Sequence, residues 1–472
     1  MVDVLVIGAG PAGLAASFRA AELGARTALV TRAAFGGMAA SDGPVPVRTL
    51  AHAARLIRDA RQLGRYGISV GEPTLEYPRL LARVREVVDD VRAHSALRDR
   101  LDRLGVRIHE RIGTARFVDP HTVEGEHGPR FQASAIILCT GGVGRRLPTP
   151  GFELTASHTD AFGLAAVPPS MLVVGAGATG AQVASIFNGF GSRVQLFEAG
   201  PRILATEDED VSAAVGAAFR RAGIVVRENF GVIESFEKTP TGLRMNFRTD
   251  GARESVEAAL AVSAVGWAAD AAGLGLPAAG VETDARGFVR VDPHLRTTAA
   301  HVFAAGDVTG RLMVVPQAMQ DGFVAATNAV RGPTLASEHQ PTPIGSFTDP
   351  EYAQVGLSEA RARDRYDVVV ATVRFRSTTR TIIDGRTDGF CKLIADRTTR
   401  RILGCHVVGE RAVEITQVAA VAMAGGMRVE ALARVPLSFP TYAGILGRVA
   451  ANAAHQLHLS VDWREHEVNA QT

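Results

Sequence analysis

Two segments of this chain repeat one pattern at one spacing, and that repeat restricts the fold more than any other feature. Residues 2–31 read as an apolar strand, the turn Gly8-Ala9-Gly10-Pro11-Ala12-Gly13, a helix, and a second strand closing on Thr31. Residues 171–198 read the same way, with Gly175-Ala176-Gly177-Ala178-Thr179-Gly180 in the turn and Glu198 at the close. Gly8 and Thr31 are 23 residues apart, as are Gly175 and Glu198, so the two units align without a gap. A single GxGxxG is weak, but two, each after a strand and before a helix, predict two dinucleotide-binding units. The glycines let the backbone turn tightly and approach a pyrophosphate. The helix N-terminus then offers it free N–H groups and a partial positive charge.

A chain of 472 residues exceeds what one core serves, so several domains are expected. At 46% hydrophobic and 21% charged, the composition is that of a soluble globular protein. Basic and acidic residues number 51 and 49, a balance that gives no reason to expect nucleic acid or an anionic membrane. No apolar run nears the ~20 residues needed to span a bilayer. Met1 runs straight into a strand, which leaves no room for a signal peptide and predicts a cytoplasmic location. Cys139, Cys391 and Cys405 lie far apart, make no CxxC or metal-ligand spacing, and read as small buried apolar residues.

Helical patterns run near 49–65 and 78–104, the second with the alternating charge of a solvated helix. Strand-like segments follow at 106–108, 114–118 and 135–142. Pro-rich stretches at 147–151 and around Pro341-Thr342-Pro343 read as linkers. Residues 297–308 form an apolar strand ending in Gly306-Asp307, which places a carboxylate beside a backbone that a ligand can approach closely. The last 130 or so residues alternate strands and helices without a glycine fingerprint, and assembly is the simplest task for them.

The stretch Gly36-Gly37-Met38-Ala39-Ala40-Ser41-Asp42-Gly43-Pro44-Val45-Pro46-Val47-Arg48 resembles the active-site segment of the class I pyridine nucleotide-disulfide oxidoreductases, the flavoprotein disulfide reductases. That family carries Gly-Gly-Thr-Cys, four residues, Cys, then x-Pro-Ser-Lys. Phe347-Thr348-Asp349-Pro350-Glu351-Tyr352-Ala353-Gln354-Val355-Gly356-Leu357 is similar to the start of its dimerisation domain, and residues 402–409 to a later strand of it. The resemblance covers nearly the whole chain. It implies an α/β fold with two Rossmann-like domains, for FAD and NAD(P)H, and a C-terminal α+β dimerisation domain. The FAD domain would take residues 1–150 and 271–338, the NAD(P)H domain 151–270 and the dimerisation domain 339–472. A homodimer is implied, each active site completed by the partner.

On the same resemblance, FAD would lie against Gly8, Gly10, Pro11, Ala12 and Gly13, and against Gly36, Gly37, Met38 and Ser41. Ala115 would lie by the adenine, Thr140-Gly141 and Gly306 along the cofactor, and Asp307 on the ribityl chain. Met313, Val314 and Val315 would lie by the flavin ring. The nicotinamide nucleotide would meet Gly175, Gly177, Gly180, Glu198 and Gly266. Glu198 accepts from a ribose 2′-hydroxyl and repels a 2′-phosphate, which favours NADH and leaves NADPH possible; Arg202, four residues on, softens that choice. Thr31 stands where the first unit usually has an acid, so Thr31 would bond a hydroxyl while Arg32 lies over the adenine or meets a phosphate.

The departures bear on chemistry. Ala39 and Pro44 stand where the family has its redox cysteines. Phe439 and Gly444 stand where its C-terminal motif has a general acid/base His and the Glu that orients it. The flavin-side Lys corresponds to Arg48, and its Glu partner to Gln182; Arg keeps its proton and Gln carries no charge. Thiol chemistry needs a thiolate and a base. The expected function is therefore an FAD-dependent NAD(P)H oxidoreductase that is not a disulfide reductase. It would pass hydride from NADH to FAD and on to a quinone or another small planar acceptor. The catalytic candidates are Arg48, Gln182, Phe439 as an aromatic pocket wall, and Tyr442. Tyr442 is either a proton donor or a packing residue in the helix before Ile445. Asp42 is either a polar group near the flavin or a helix cap. Three alternatives stand beside this: a soluble transhydrogenase, a flavin-dependent dehydrogenase or oxidase of a specialised metabolite, and a catalytically silent nucleotide-binding sensor or scaffold.

Overall fold

A computed structural model describes residues 1–38, 43–338 and 341–465, with the backbone alone at 94 and 95. Ala39, Ser41 and Asp42 lie outside the described residues. The contacts divide the chain into two units, one of residues 1–49, 78–146 and 266–339, the other of residues 50–77, 147–265 and 340–472. The breaks near 147 and 340 fall in the Pro-rich stretches.

The first unit is built on five parallel strands in the order Arg107–His109, Thr27–Val30, Val2–Ile7, Arg130–Leu138, Val302–Ala304. From Val4 to Ile7 the strand Val2–Ile7 is wholly apolar and buried because both faces of the sheet are covered, while Asp3 near its start pairs with Arg26. One face carries the cluster around Leu5, Ile136 and Leu138; the other carries that around Val4, Val6 and Ile137. The second cluster lies under helices Pro11–Glu22 and Val315–Arg331. These two helices meet backbone to side: a Cβ on Gly322 would sit 2.1 Å from the Ala12 carbonyl oxygen, so only glycine permits the approach. A two-stranded ribbon joins Gly142–Gly144 to Trp267–Ala269.

Among the described residues the second unit holds three sheets. Four parallel strands run in the order Val225–Arg227, Arg193–Phe197, Ser170–Val174, Leu260–Ser263. Strands Val232–Thr239, Gly242–Thr249 and Ala252–Ala258 form an antiparallel meander. The C-terminal segment gives a five-stranded antiparallel sheet in the order Ile344–Ser346, Tyr352–Gly356, Ile402–Val408, Phe390–Asp396, Val368–Arg374. Its register alternates: Val355, Leu393, Cys405 and Val407 face a core shared with helices Ala412–Ala424 and Gly444–Gln456. The other face presents Gln354, Lys392 and His406. The Lys392 ammonium is buried between Asp208 at 2.8 Å and Asp210 at 2.7 Å, as a buried cation must be paired.

Two helix boundaries differ from expectation. The first helix opens at Pro44, whose fixed φ suits a first turn, and ends at Gln62, with a 3₁₀ turn to Tyr66. The run from 78 to 104 is two helices, Tyr77–Ser95 and Leu97–Arg103, parted at Ala96 where φ is +42°. The three cysteines are buried and free, as expected, but the fold brings the sulfurs of Cys391 and Cys405 to 3.9 Å of each other.

Candidate functional site

The first glycine turn leaves the strand Val2–Ile7. Gly8 takes φ +108°, and a Cβ there would fall 2.1 Å from the Cys139 carbonyl oxygen. Gly13 is as tightly held, since its Cβ would meet the Gly8 oxygen at 1.8 Å. Gly10 is different. It is the N-cap of Pro11–Glu22, has no side-chain cap, and a Cβ there would meet nothing within 4 Å. The outer glycines are thus required by packing, whereas a side chain on the middle one would point into open space. The free N–H groups of the helix face that space, with Pro11 giving up none that is needed.

Other parts of the first unit converge on this turn. Gly37, at φ +64°, has its α-carbon pressed so close that a Cβ would reach 2.6 Å from the Gly10 α-carbon, and Gly36 beside it is also at positive φ. A Cβ on Gly306 would lie 3.1 Å from that of Ala12, and one on Gly142 would lie 3.6 Å from that of Asp307. Burial pushes the Asp307 carboxyl above its usual range. The Thr140 hydroxyl is buried and makes no hydrogen bond among the described residues, and Gly141 faces open space at φ +80°. Met313 and Val314 lead into the helix at Val315, whose N-terminus also lacks a side-chain cap. Ala115 and Thr31 are buried, at the start of one strand and just past the end of another. Arg32 is held by Asp270.

The second turn repeats the logic. A Cβ on Gly175 would meet the Ala264 oxygen at 2.4 Å, and one on Gly180 the Gly175 oxygen at 1.8 Å. Gly177 again caps a helix, Ala178–Gly189, without a side-chain cap and with nothing within 4 Å. Gly266 is open too, at φ +105°. Glu198 accepts from the backbone N–H of Ala176 at 2.9 Å and of Gly200 at 2.8 Å, so its carboxylate is already aimed at the glycine turn. Arg202 is committed elsewhere, donating to the carbonyls of Leu204, Ala205 and Glu207.

The catalytic candidates divide between the units. Arg48 is exposed on the first turns of the helix at Pro44, in the first unit. The others lie in the second. Gln182 donates to Ala178 of its own helix and accepts from the Phe347 N–H. Phe439 is 79% exposed. Tyr442 precedes the helix, which opens at Gly444, and its hydroxyl donates to Asp384 at 2.9 Å. Burial and that contact push the phenol well above its usual range. Asp270, Glu228 and Asp384 were not singled out from the sequence. Each is a lone acid without a motif, and only the fold reveals its partner.

The residues present fit two dinucleotides. Each fingerprint offers an uncapped helix N-terminus, an open middle glycine and outer glycines that admit no side chain. Among the described residues no group of three or more His, Cys, Asp or Glu forms a metal site, and no helix is long and apolar enough to cross a membrane.

Residues 2–322 match the family described as pyridine nucleotide-disulphide oxidoreductase, and residues 342–450 match its dimerisation domain. The chain is 32% identical over 466 residues to dihydrolipoyl dehydrogenase 2 of Haloarcula marismortui, with 96% of each chain covered. It is 32% identical over 456 residues to the dihydrolipoyl dehydrogenase of Mycobacterium tuberculosis, covering 93% of this chain and 95% of that one. Among solved structures, the HOCl-induced flavoprotein disulfide reductase RclA from Escherichia coli superposes with a TM-score of 0.84 at 24% identity, over 95% of this chain and 99% of that one. These findings correct the expected function and enzyme class. An oxidoreductase outside the disulfide reductases is not what the relatives indicate: they are dihydrolipoyl dehydrogenases, and the fold neighbour is a disulfide reductase.

Proposed function

The chain belongs to the pyridine nucleotide-disulphide oxidoreductase family, and from that membership we propose that it exchanges electrons between a nicotinamide nucleotide and a dithiol–disulfide couple, as a disulfide reductase of the dihydrolipoyl dehydrogenase type. Proteins of this family use FAD and NAD(P)H. The observation that carries the proposal is the pair of glycine turns, each with an open middle glycine before an uncapped helix, in a chain similar over its length to dihydrolipoyl dehydrogenases.

FAD supplies two-electron redox chemistry when bound. The chain's part is to hold it. The N–H groups following Gly10 would take its pyrophosphate, Asp307 a ribityl hydroxyl, and the Thr140 hydroxyl a further polar atom. The helix after Gly177 would hold the nicotinamide nucleotide, and Glu198 its ribose; that carboxylate supports NADH over NADPH. Arg48 would keep a positive charge in the active-site segment. The dimer would bring Phe439 to the partner's site as a wall. Cys139, Cys391 and Cys405 are buried and free, with the sulfurs of Cys391 and Cys405 3.9 Å apart. Buried free thiols also accord with a cytoplasmic location.

The protein should take up FAD and then reduce NAD⁺ with dihydrolipoamide, or reduce a small disulfide with NADH. Turnover in neither direction by FAD-loaded protein overturns the proposal.

A further inference from the structure

Thr31 leaves the first unit without the acid that usually closes a dinucleotide site at the end of its second strand. The fold brings a carboxylate to that end from 238 residues away. Arg32 forks onto Asp270: Nη2 donates to Oδ1 at 3.1 Å, and Nη1 lies 3.1 Å from Oδ2. Two parallel contacts of this kind fix direction as well as distance. Asp270 follows the strand Trp267–Ala269, which pairs with Gly142–Gly144, and its own N–H donates to the Gly141 carbonyl at 3.0 Å.

Strand order gives the pair its direction. Thr27–Val30 and Arg130–Leu138 flank Val2–Ile7 on opposite sides, all three parallel. Arg32 lies just past the end of one flank, and Asp270 is tied to Gly141 just past the end of the other. The link between them therefore crosses the end of the central strand, where the turn Gly8–Gly13 begins. In an open parallel sheet the ligand enters the crevice at those strand ends.

We infer that the Arg32–Asp270 pair is a strap over the adenosine end of the FAD site, with Asp270 as the carboxylate that Thr31 does not provide. The inference rests on the first unit being the FAD site. A surface ion pair contributes little by itself, and Arg32 is about half exposed, its side chain at 55%. Its effect is on exit: the dinucleotide leaves only when the strap opens, so the release rate should respond more than the folding equilibrium.

The test follows FAD release from holoprotein after dilution, by recovery of free-flavin fluorescence. Arg32→Gln and Asp270→Asn should each release FAD about tenfold faster than the parent. The exchange Arg32→Asp with Asp270→Arg should restore slow release, and Arg32→Lys, which keeps charge but loses the fork, should fall between. Melting of the FAD-free proteins should change little. Single variants that hold FAD like the parent, or an exchange that restores nothing, overturn the strap. A parallel fall in FAD-free melting overturns it too, by making the pair structural only. A parent protein that takes up no FAD overturns the site reading itself.

Discussion

Gly10 and Gly13 stand three residues apart under opposite constraints, and Gly177 and Gly180 repeat the contrast. Gly13→Ala or Gly180→Ala must push a methyl into a carbonyl oxygen, and should lower stability by about 1–3 kcal/mol or more, read as a fall in melting temperature. Gly177→Ala meets no neighbour and keeps an ordinary φ of −72°, so the fold should tolerate it. The methyl would lie where the pyrophosphate should approach. NADH binding should weaken more than tenfold while FAD content and melting stay at the parent's values. Unchanged NADH affinity would remove the second turn from the binding site. Glu207 offers a different reading, of pH. Burial, with Asp208 beside it, pushes its carboxyl from the usual 4.5 up to about 7. Between those values the folded chain holds a proton that the unfolded chain has released, so the contribution of Glu207 to stability is full below 4.5 and is lost as pH rises through about 7. Glu207→Gln has no proton to lose. It should exceed the parent's stability at pH 8 by up to about 3 kcal/mol and match it near pH 4. Melting curves at the two pH values decide this, and a variant weaker at pH 8 would refute it.

The loop after Glu198 shows how an element is held by contacts the sequence does not display. Arg202 closes it by donating to three carbonyls, at 3.3, 3.1 and 2.9 Å. Ile203 is fixed at both ends, its N–H on Glu228 and its carbonyl under the Ser212 hydroxyl. Leu204 between them is buried at φ +49°, a conformation leucine avoids unless the surroundings impose it, and its N–H donates to the Ala176 carbonyl. The loop thus holds the glycine turn from one side while Glu198 holds it from the other. Arg202→Ala should raise KM for NADH about tenfold and leave FAD content unchanged, and Arg202→Lys should recover part of the loss. An unaltered KM would reduce Arg202 to packing. The two glycine turns were legible in the sequence because the fingerprint is local, a GxGxxG between a strand and a helix of one βαβ unit, although the carbonyls that exclude a side chain at Gly8 and Gly175 belong to the distant Cys139 and Ala264. The strand-end Asp307 was legible for the same reason. Asp270 on Arg32 and Asp384 on Tyr442 were not, since pairs 238 and 58 residues apart leave no spacing to read. Arg202 was read as a nucleotide contact because sequence shows its distance from Glu198 but not the three carbonyls that take up its donors.

At the scale of the molecule, the relation between the substituted positions and the reaction was the part least open to sequence reading. Alanine, proline, phenylalanine and glycine at four motif positions state what differs from the family pattern, whereas the similarity to a dihydrolipoyl dehydrogenase is spread over 466 residues. Assembly is the other property at this scale, and it can be argued from surface. The C-terminal segment matches a dimerisation domain, and in the single chain it leaves Ile382 at 57%, Ile383 at 52% and Phe439 at 79% exposed. Tyr66, at 56%, joins the two isoleucines, since its hydroxyl donates to the Ile383 carbonyl at 2.8 Å. Large apolar side chains grouped this way mark a surface that another chain covers. In a two-fold dimer each patch is used twice, so covering the isoleucines is worth about 1.5–3 kcal/mol for each side chain buried, on both protomers. Replacing Ile382 and Ile383 together with Asp removes that gain and places charge where water is excluded. The parent should sediment as a dimer, and the double variant should sediment as a monomer at the same concentration with its FAD-free melting little changed. Were the variant to remain dimeric, the patch would lie outside the interface; were the parent monomeric, completion of the site by Phe439 of a second chain would be lost with it.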